Sequence, residues 1–166
     1  MERIYIGIDP GVSGALGVVH GDFGAFVDTD DMPVMIDGKT KRVNPHVLTA
    51  LLWSYFGTFP DAKATIVIER VGAMPGQGVS SMFNFGHSAG ILEGVAAALG
   101  VPVVLVTPGQ WKKHYRLTGK DKDSARTLAV RTYPVAAEQL KRKKDVGRAD
   151  ALLLARYGWM TSTAGA

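Results

Sequence analysis

Three carboxylates stand where the sequence could do chemistry. Asp9 and Glu69 are each the first charge after an apolar run, Ile4-Tyr-Ile-Gly-Ile8 in one case and Ile66-Val-Ile68 in the other. Strand ends of this kind deliver side chains into clefts in α/β sheets. Asp150 interrupts Arg148-Ala-Asp-Ala-Leu-Leu-Leu-Ala155, a helix start apolar enough to be buried nearly all round, so a charge there needs a partner or a task. Carboxylates held side by side repel, and their pKa values separate unless a cation neutralises them. With no cysteine and no histidine cluster, hard oxygen donors of this sort suit Mg²⁺ or Mn²⁺. The chemistry implied is two-metal phosphodiester hydrolysis, one ion activating water and the other steadying the leaving oxygen. Each acid has a plainer reading: Asp9 as a turn former in Asp-Pro-Gly, Glu69 as an ion-pair partner, Asp150 as a first-turn aspartate favoured by the helix dipole.

For Asp9 to meet Glu69, their strands must lie together. Alternation over Arg3–Asp9 predicts a first strand, and Ala15–His20 and Ala25–Asp31 predict two more in an antiparallel meander. Residues 33–45 read as a polar excursion containing Asp37-Gly38 and Lys39-Thr-Lys-Arg42. Asn44 as N-cap and Pro45 at the first helical position predict a helix to about Phe56. Thr65–Ile68 reads as a strand covered on both faces; parallel to the first through that helix, it would set Glu69 beside Asp9. A glycine-rich loop over 72–80 precedes a long helix, Ser81–Leu99, closed by Gly100. Val103–Val106 is a further strand, Pro108–Trp111 a short helix, and Asp123–Tyr133 and Gly147–Trp159 the last helices, with 161–166 a frayed tail. Strands first, then strands alternating with helices, describe one α/β domain over residues 1–166, a mixed central sheet with helices on both faces.

Taken in order, Ile6-Gly-Ile-Asp9-Pro-Gly-Val-Ser-Gly-Ala15, Ile66-Val-Ile-Glu69-Arg70 and Gly147-Arg-Ala-Asp150-Ala-Leu-Leu-Leu-Ala155 resemble the three acidic motifs of RuvC-like Holliday-junction resolvases, most of all the small bacteriophage members. Phe85-Gly-His-Ser-Ala-Gly90, Leu99-Gly-Val-Pro102 and Pro108-Gly-Gln-Trp-Lys112 follow in the expected order. The resemblance implies an RNase H-like fold and a crossover junction endodeoxyribonuclease. Such an enzyme would act as a homodimer on four-way junction or other branched DNA, making paired nicks in strands of like polarity. It further implies two Mg²⁺ (or Mn²⁺) ions per subunit, with Asp9 bridging both, Glu69 ligating one and Asp150 completing the site. Two positions depart from the bacterial pattern. Gly147 stands where those enzymes carry an acid or histidine, and Gly72, with Met74 the nearest large apolar residue, stands where some place an aromatic wedge. Asp145 is the candidate for the missing fourth ligand, but five residues on a helix leave it about 140° away from Asp150. It can serve only from a non-helical segment curling back over the helix start; its plainer role is an N-cap.

The balance of 19 Lys+Arg against 15 Asp+Glu, net +4 with a pI near 9.4, favours an anionic partner only modestly. Lys112, Lys113, Arg116, Lys120 and Lys122 cluster beside Trp111 and Tyr115, and Lys141-Arg-Lys-Lys144 lies nearer Asp150. Cations flanking a cleft would bind phosphates without reading bases; the resemblance places phosphate-contacting or catalytic lysines at Lys112 and Lys122. The plainer reading is a solvated face, with Trp111 and Tyr115 as core contacts. Gly86, Gly90 and Gly94 leave one stripe of the long helix without side chains, which suits either tight packing on the sheet or a homodimer contact. His87 and His114 read as structural. Sugar-kinase and actin-like ATPases also open with a strand, Asp and a glycine-rich turn, but 166 residues leave no room for their second domain. An RNase H acting on RNA–DNA hybrids and a non-catalytic branched-DNA-binding module are the remaining alternatives. No apolar run reaches the length of a membrane span, and the absence of cysteine suits a reducing cytoplasm, the host's if the chain is phage-encoded.

Overall fold

The computed structural model describes residues 2–70 and 72–163. Its centre is a five-stranded mixed sheet. Strands β1 (Arg3–Asp9), β2 (Ala15–His20) and β3 (Ala25–Asp31) form the antiparallel meander, and β6 (Lys63–Glu69) and β7 (Val103–Val106) add in parallel on the other side of β1, giving the order β3-β2-β1-β6-β7. The parallel register pairs Ile8 with Ile68, so Asp9 and Glu69 emerge together one residue later.

Because side chains alternate across a strand, Ile4, Ile6, Ile8, Ile66 and Ile68 share one face. They are buried against α1 (Pro45–Thr58) and α2 (Val79–Ala98) through Leu48, Leu52 and Leu92. Tyr5 and Val67 point the other way, into a core shared with α3 (Pro108–His114), α4 (Lys122–Thr132) and α5 (Val146–Thr163). Asp9 and Glu69 have the same parity as Tyr5 and Val67 and therefore sit on the α5 side. Three helix starts carry side-chain caps, the one at Asn44 as expected. Asn44 accepts from the His46 and Val47 amides at 3.1 and 3.2 Å, Thr107 and Gln110 make a reciprocal capping box, and Asp121 caps α4 through the Ser124 amide.

The placement of α5 depends on two glycines that the sheet register sets side by side, Gly7 on β1 and Gly17 on β2. A Cβ at Gly7 would lie 2.0 Å from the Ala151 carbonyl oxygen, and one at Gly17 2.5 Å from the Leu152 nitrogen. Helix and sheet thus meet backbone to backbone, with Ala151 and Ala155 small enough to match. That slot fixes the first turns of α5 over the end of β1, and Asp150 is carried there with it.

Two expectations are corrected. Residues 33–45 are no mere polar excursion: β4 (Val34–Asp37) and β5 (Thr40–Val43) form a separate two-stranded hairpin. Its Asp37-Gly38 turn, with Gly38 at φ +62°, follows the II′ pattern that needs glycine first. The final helix begins at Val146 and continues to Thr163, so 161–163 are helical rather than frayed; 164–166 lie outside the described residues. Among the described residues, no helix is long and apolar enough to cross a membrane.

Candidate active site

Asp9 and Asp150 line one cleft of about 1080 Å³, together with the 10–14 loop, one side of α2, the 117–122 loop and the first turn of α5. Both carboxyls titrate far from the usual range. Burial, then the charges of Asp150 and Glu69, push Asp9 up to about 8 despite nearby Lys112 and Lys122. Burial, then Glu69, push Asp150 up to about 7 against the same two lysines. The two aspartates and Glu69 repel one another, so the carboxyls titrate as a coupled set, raised as a group. Mutual destabilisation of this kind costs stability and marks the cleft as a candidate functional site.

Glu69 stands beside this pair without lining the cleft. Its Oε1 accepts a 3.0 Å hydrogen bond from the indole Nε1 of Trp111, a side chain with no exposed surface. The capping box at Thr107 starts α3 at the end of β7, which paces Trp111 under the end of β6, where Glu69 pairs with Val106. Trp111 is therefore a core residue, as the sequence suggested, and also the residue that orients Glu69. The sequence carried no signal for that second role.

Asp145 is not brought to the site. It lies in a 3₁₀ turn, Lys143–Asp145, just before α5, and is buried. Its carboxylate accepts from the Arg142 amide at 2.8 Å and from Arg142 Nε and Nη2 at 3.0 and 2.7 Å. Those charge-assisted bonds outweigh burial and hold its pKa below the ordinary carboxylate value. Gly147, by contrast, faces the acids: a Cβ there would lie 3.3 Å from Asp9 Oδ2. The position three residues before Asp150 does point at the site, and glycine leaves it without a donor.

Whether these residues suit a cation can be judged from the donors. Two buried carboxylates that cannot both ionise comfortably offer hard oxygens and a local deficit of positive charge, which fits Mg²⁺ or Mn²⁺. Among the described residues no three acidic or histidine side chains already converge as a cage. Asp9 and Asp150 could supply oxygen donors from the cleft, with Glu69 beside them.

Of the expected phosphate-binding residues, Lys112, Lys120 and Lys122 line the cleft, whereas Lys113 and Arg116 are exposed outside it. Lys143 and Lys144 also line it, as do Lys39 and Lys41 from the β4–β5 hairpin; the hairpin lysines were not expected there. His114 packs edge-on against Tyr115 and Tyr157, and His87 lies against Phe83; neither lines the cleft. On α2, Ser88, Leu92 and Ala96 face inward, while nothing lies within 4 Å of where a Cβ would stand on Gly86, Gly90 or Gly94. The glycine stripe does not pack on the sheet. It faces outward next to Phe83, which is 70% exposed.

No family model matches the sequence, and no curated protein matches it significantly. Solved structures do match in three dimensions. RuvC of Thermus thermophilus in complex with a Holliday junction substrate superposes with a TM-score of 0.56 at 16% identity, over 97% of this chain and 96% of that one. A further structure of Thermus thermophilus RuvC gives 0.55 at 17%, over 98% and 97%. The yeast mitochondrial Holliday junction resolvase Ydc2 gives 0.52 at 16%, over 96% and 78%. At these identities the likeness is one of fold: the chain has the α/β, RNase H-like architecture that these proteins share.

Proposed function

We propose that this chain is a metal-dependent, structure-selective DNA endonuclease that cuts four-way junctions or other branched DNA. The observation that carries the reading is the buried aspartate pair, raised in pKa, on the floor of a lysine-lined cleft. Its setting on a fold shared with structures described as junction resolvases supports it. In this reading Asp9, Glu69 and Asp150 hold two Mg²⁺ or Mn²⁺ ions, which supply Lewis-acid activation of water and charge neutralisation at the leaving oxygen. Trp111 keeps the Glu69 carboxylate aimed at the pair. Lys112, Lys120 and Lys122 neutralise the phosphates that must approach two acids, an approach that would otherwise be repulsive.

Resolving a junction requires two symmetric cuts, and one site per chain calls for a two-fold dimer. The outward glycine stripe of α2, flanked by exposed Phe83, is the surface we assign to it. The absence of cysteine is compatible with work in a cytoplasm, a phage host's included.

The test is cleavage of a labelled four-way junction, a matched duplex and an RNA–DNA hybrid, each with Mg²⁺ and with EDTA. Paired, Mg²⁺-dependent nicks in the junction alone are the expected result. Preferential cutting of the hybrid would make the chain an RNase H, and junction binding with no cleavage in any metal would make it a binding module.

A further inference from the structure

The β4–β5 hairpin projects from the fold for a reason its own packing does not supply. Its base is anchored: Val43 and Met32 are buried in the α1–α2 core, and the Asn44 amide bonds to the Pro33 carbonyl at 2.8 Å. Beyond the base it pairs only with itself, forming a sheet separate from the central one. From Ile36 to Lys41 every residue is exposed. A two-stranded ribbon with so little buried surface is marginal in water and gains little from packing. Its charges are also unbalanced. Asp37, its one acid, is paired with Arg42 at 3.5 Å, whereas Lys39 and Lys41 take part in no ion pair among the described residues. Both lysines, with Thr40 between them, line the same cleft as Asp9 and Asp150.

From this geometry we infer that the hairpin is a phosphate-gripping arm: Lys39 and Lys41 hold the backbone of a nucleic-acid strand lying in the cleft. The inference rests on the nuclease reading, and it adds a contact that the lysines of the 112–122 segment and of the 143–144 turn do not make. Those lysines are carried on the α5 side of the sheet, by α3, the loop after it, the start of α4 and the turn before α5. The hairpin leaves from the end of the meander, between β3 and α1, so it brings positive charge to the cleft from an independent element. Cations supplied from separate segments hold a backbone in one path, whereas a single patch would attract it without fixing its course. The arm needs no base-reading groups to do this, and Lys39, Thr40 and Lys41 offer donors that suit phosphate oxygens.

The experiment measures binding of a fluorescent four-way junction and of a matched duplex in EDTA across a salt series, for the wild type and four variants. These are the doubles Lys39→Ala/Lys41→Ala, Lys39→Glu/Lys41→Glu and Lys39→Arg/Lys41→Arg, and the single Lys63→Ala, an exposed lysine at the opposite end of β6. If two phosphate contacts are lost, the alanine double should lower the magnitude of the log–log salt slope by about 1.8 and the affinity by roughly 10- to 60-fold near 0.1 M salt. The glutamate double should weaken binding further, the arginine double should keep the slope, and Lys63→Ala should leave it unchanged. A wild-type slope in the alanine double, with its melting temperature unchanged, overturns the arm even if the wild type cuts junctions normally. A reduced slope on both DNAs, with no junction cleavage by the wild type, supports the arm while removing the junction-endonuclease reading. A wild type that binds neither DNA overturns both.

Discussion

Replacing Asp9 by Asn should make the metal-free protein more stable, and the gain should depend on pH. A carboxyl raised from 3.8 to about 8 in the folded state favours folding fully only below its unfolded pKa; that stability is lost progressively as pH rises towards the folded value. At pH 7 the folded chain must keep a proton that the unfolded chain has released. Roughly three pH units, at about 1.4 kcal/mol each, come to about 4 kcal/mol against folding. Asparagine has the shape of the protonated acid and carries no such burden. For a chain of this size the gain corresponds to a melting temperature higher by roughly 8–16 °C at pH 7. At pH 4 the same sum is under about 1 kcal/mol, so the two curves should nearly coincide. Thermal melts in EDTA at pH 4, 5.5, 7 and 8 read the gap directly. A gap no larger at pH 7 than at pH 4 would refute the burial-and-repulsion account. Adding Mg²⁺ at pH 7 should raise the wild-type melt and narrow the gap, because a cation bound between the carboxylates removes the repulsion; an unmoved melt at saturating Mg²⁺ would place the ion elsewhere.

Glu69→Gln and Asp150→Asn should each reduce Mg²⁺-dependent cleavage by orders of magnitude while leaving junction affinity nearly intact, since affinity comes from the lysines; full activity in either would exclude that residue. Gly7→Ala should cost about 3 kcal/mol or more in denaturant unfolding, because its Cβ would overlap the Ala151 carbonyl oxygen at 2.0 Å; a near-neutral effect would mean that α5 is not seated as described. Asp145→Ala should lose about 2 kcal/mol, from the bonds to Arg142, and keep its cleavage rate; loss of cleavage at unchanged stability would return Asp145 to the ligand set. Light scattering should give about twice the 17.7 kDa chain mass, and Phe83→Glu should halve it; a monomer in both would dismiss the α2 interface.

The acids were readable because they break apolar patterns: Asp9 and Glu69 end strands, and Asp150 interrupts a helix start that has no other charge on its inner face. The sheet followed from alternation in the first strand and from the continuous apolar runs Thr65–Ile68 and Val103–Val106. What holds the acids together was not readable, since it lies in pairings between distant segments. Nothing in Gly7 or Gly17 singly announces a slot; only the β1–β2 register makes them neighbours. The bond from Trp111 to Glu69 likewise spans 42 residues. The hairpin had a local signal in Asp37-Gly38, but its strands are exposed from Ile36 to Lys41 and buried only at the base, so no apolar alternation marked them as strands. Asp145 does lie in a non-helical segment just before α5, but its bonds to Arg142, three residues back in a 3₁₀ turn, belong to a conformation with no strong sequence pattern and could not be read.

The slot between Gly7, Gly17 and α5 has a genetic consequence. A side chain at either glycine strikes helix backbone, so such alleles should remove the protein altogether and behave as simple, recessive nulls. Changes at Asp9 should do the reverse, leaving well-folded subunits with no chemistry. On the proposed function, and with subunits working in pairs, those inert copies would occupy half of each mixed assembly and bind junctions that they cannot cut. Co-expressed with the wild type, an Asp9 allele should therefore poison resolution, and a Gly7 allele should not.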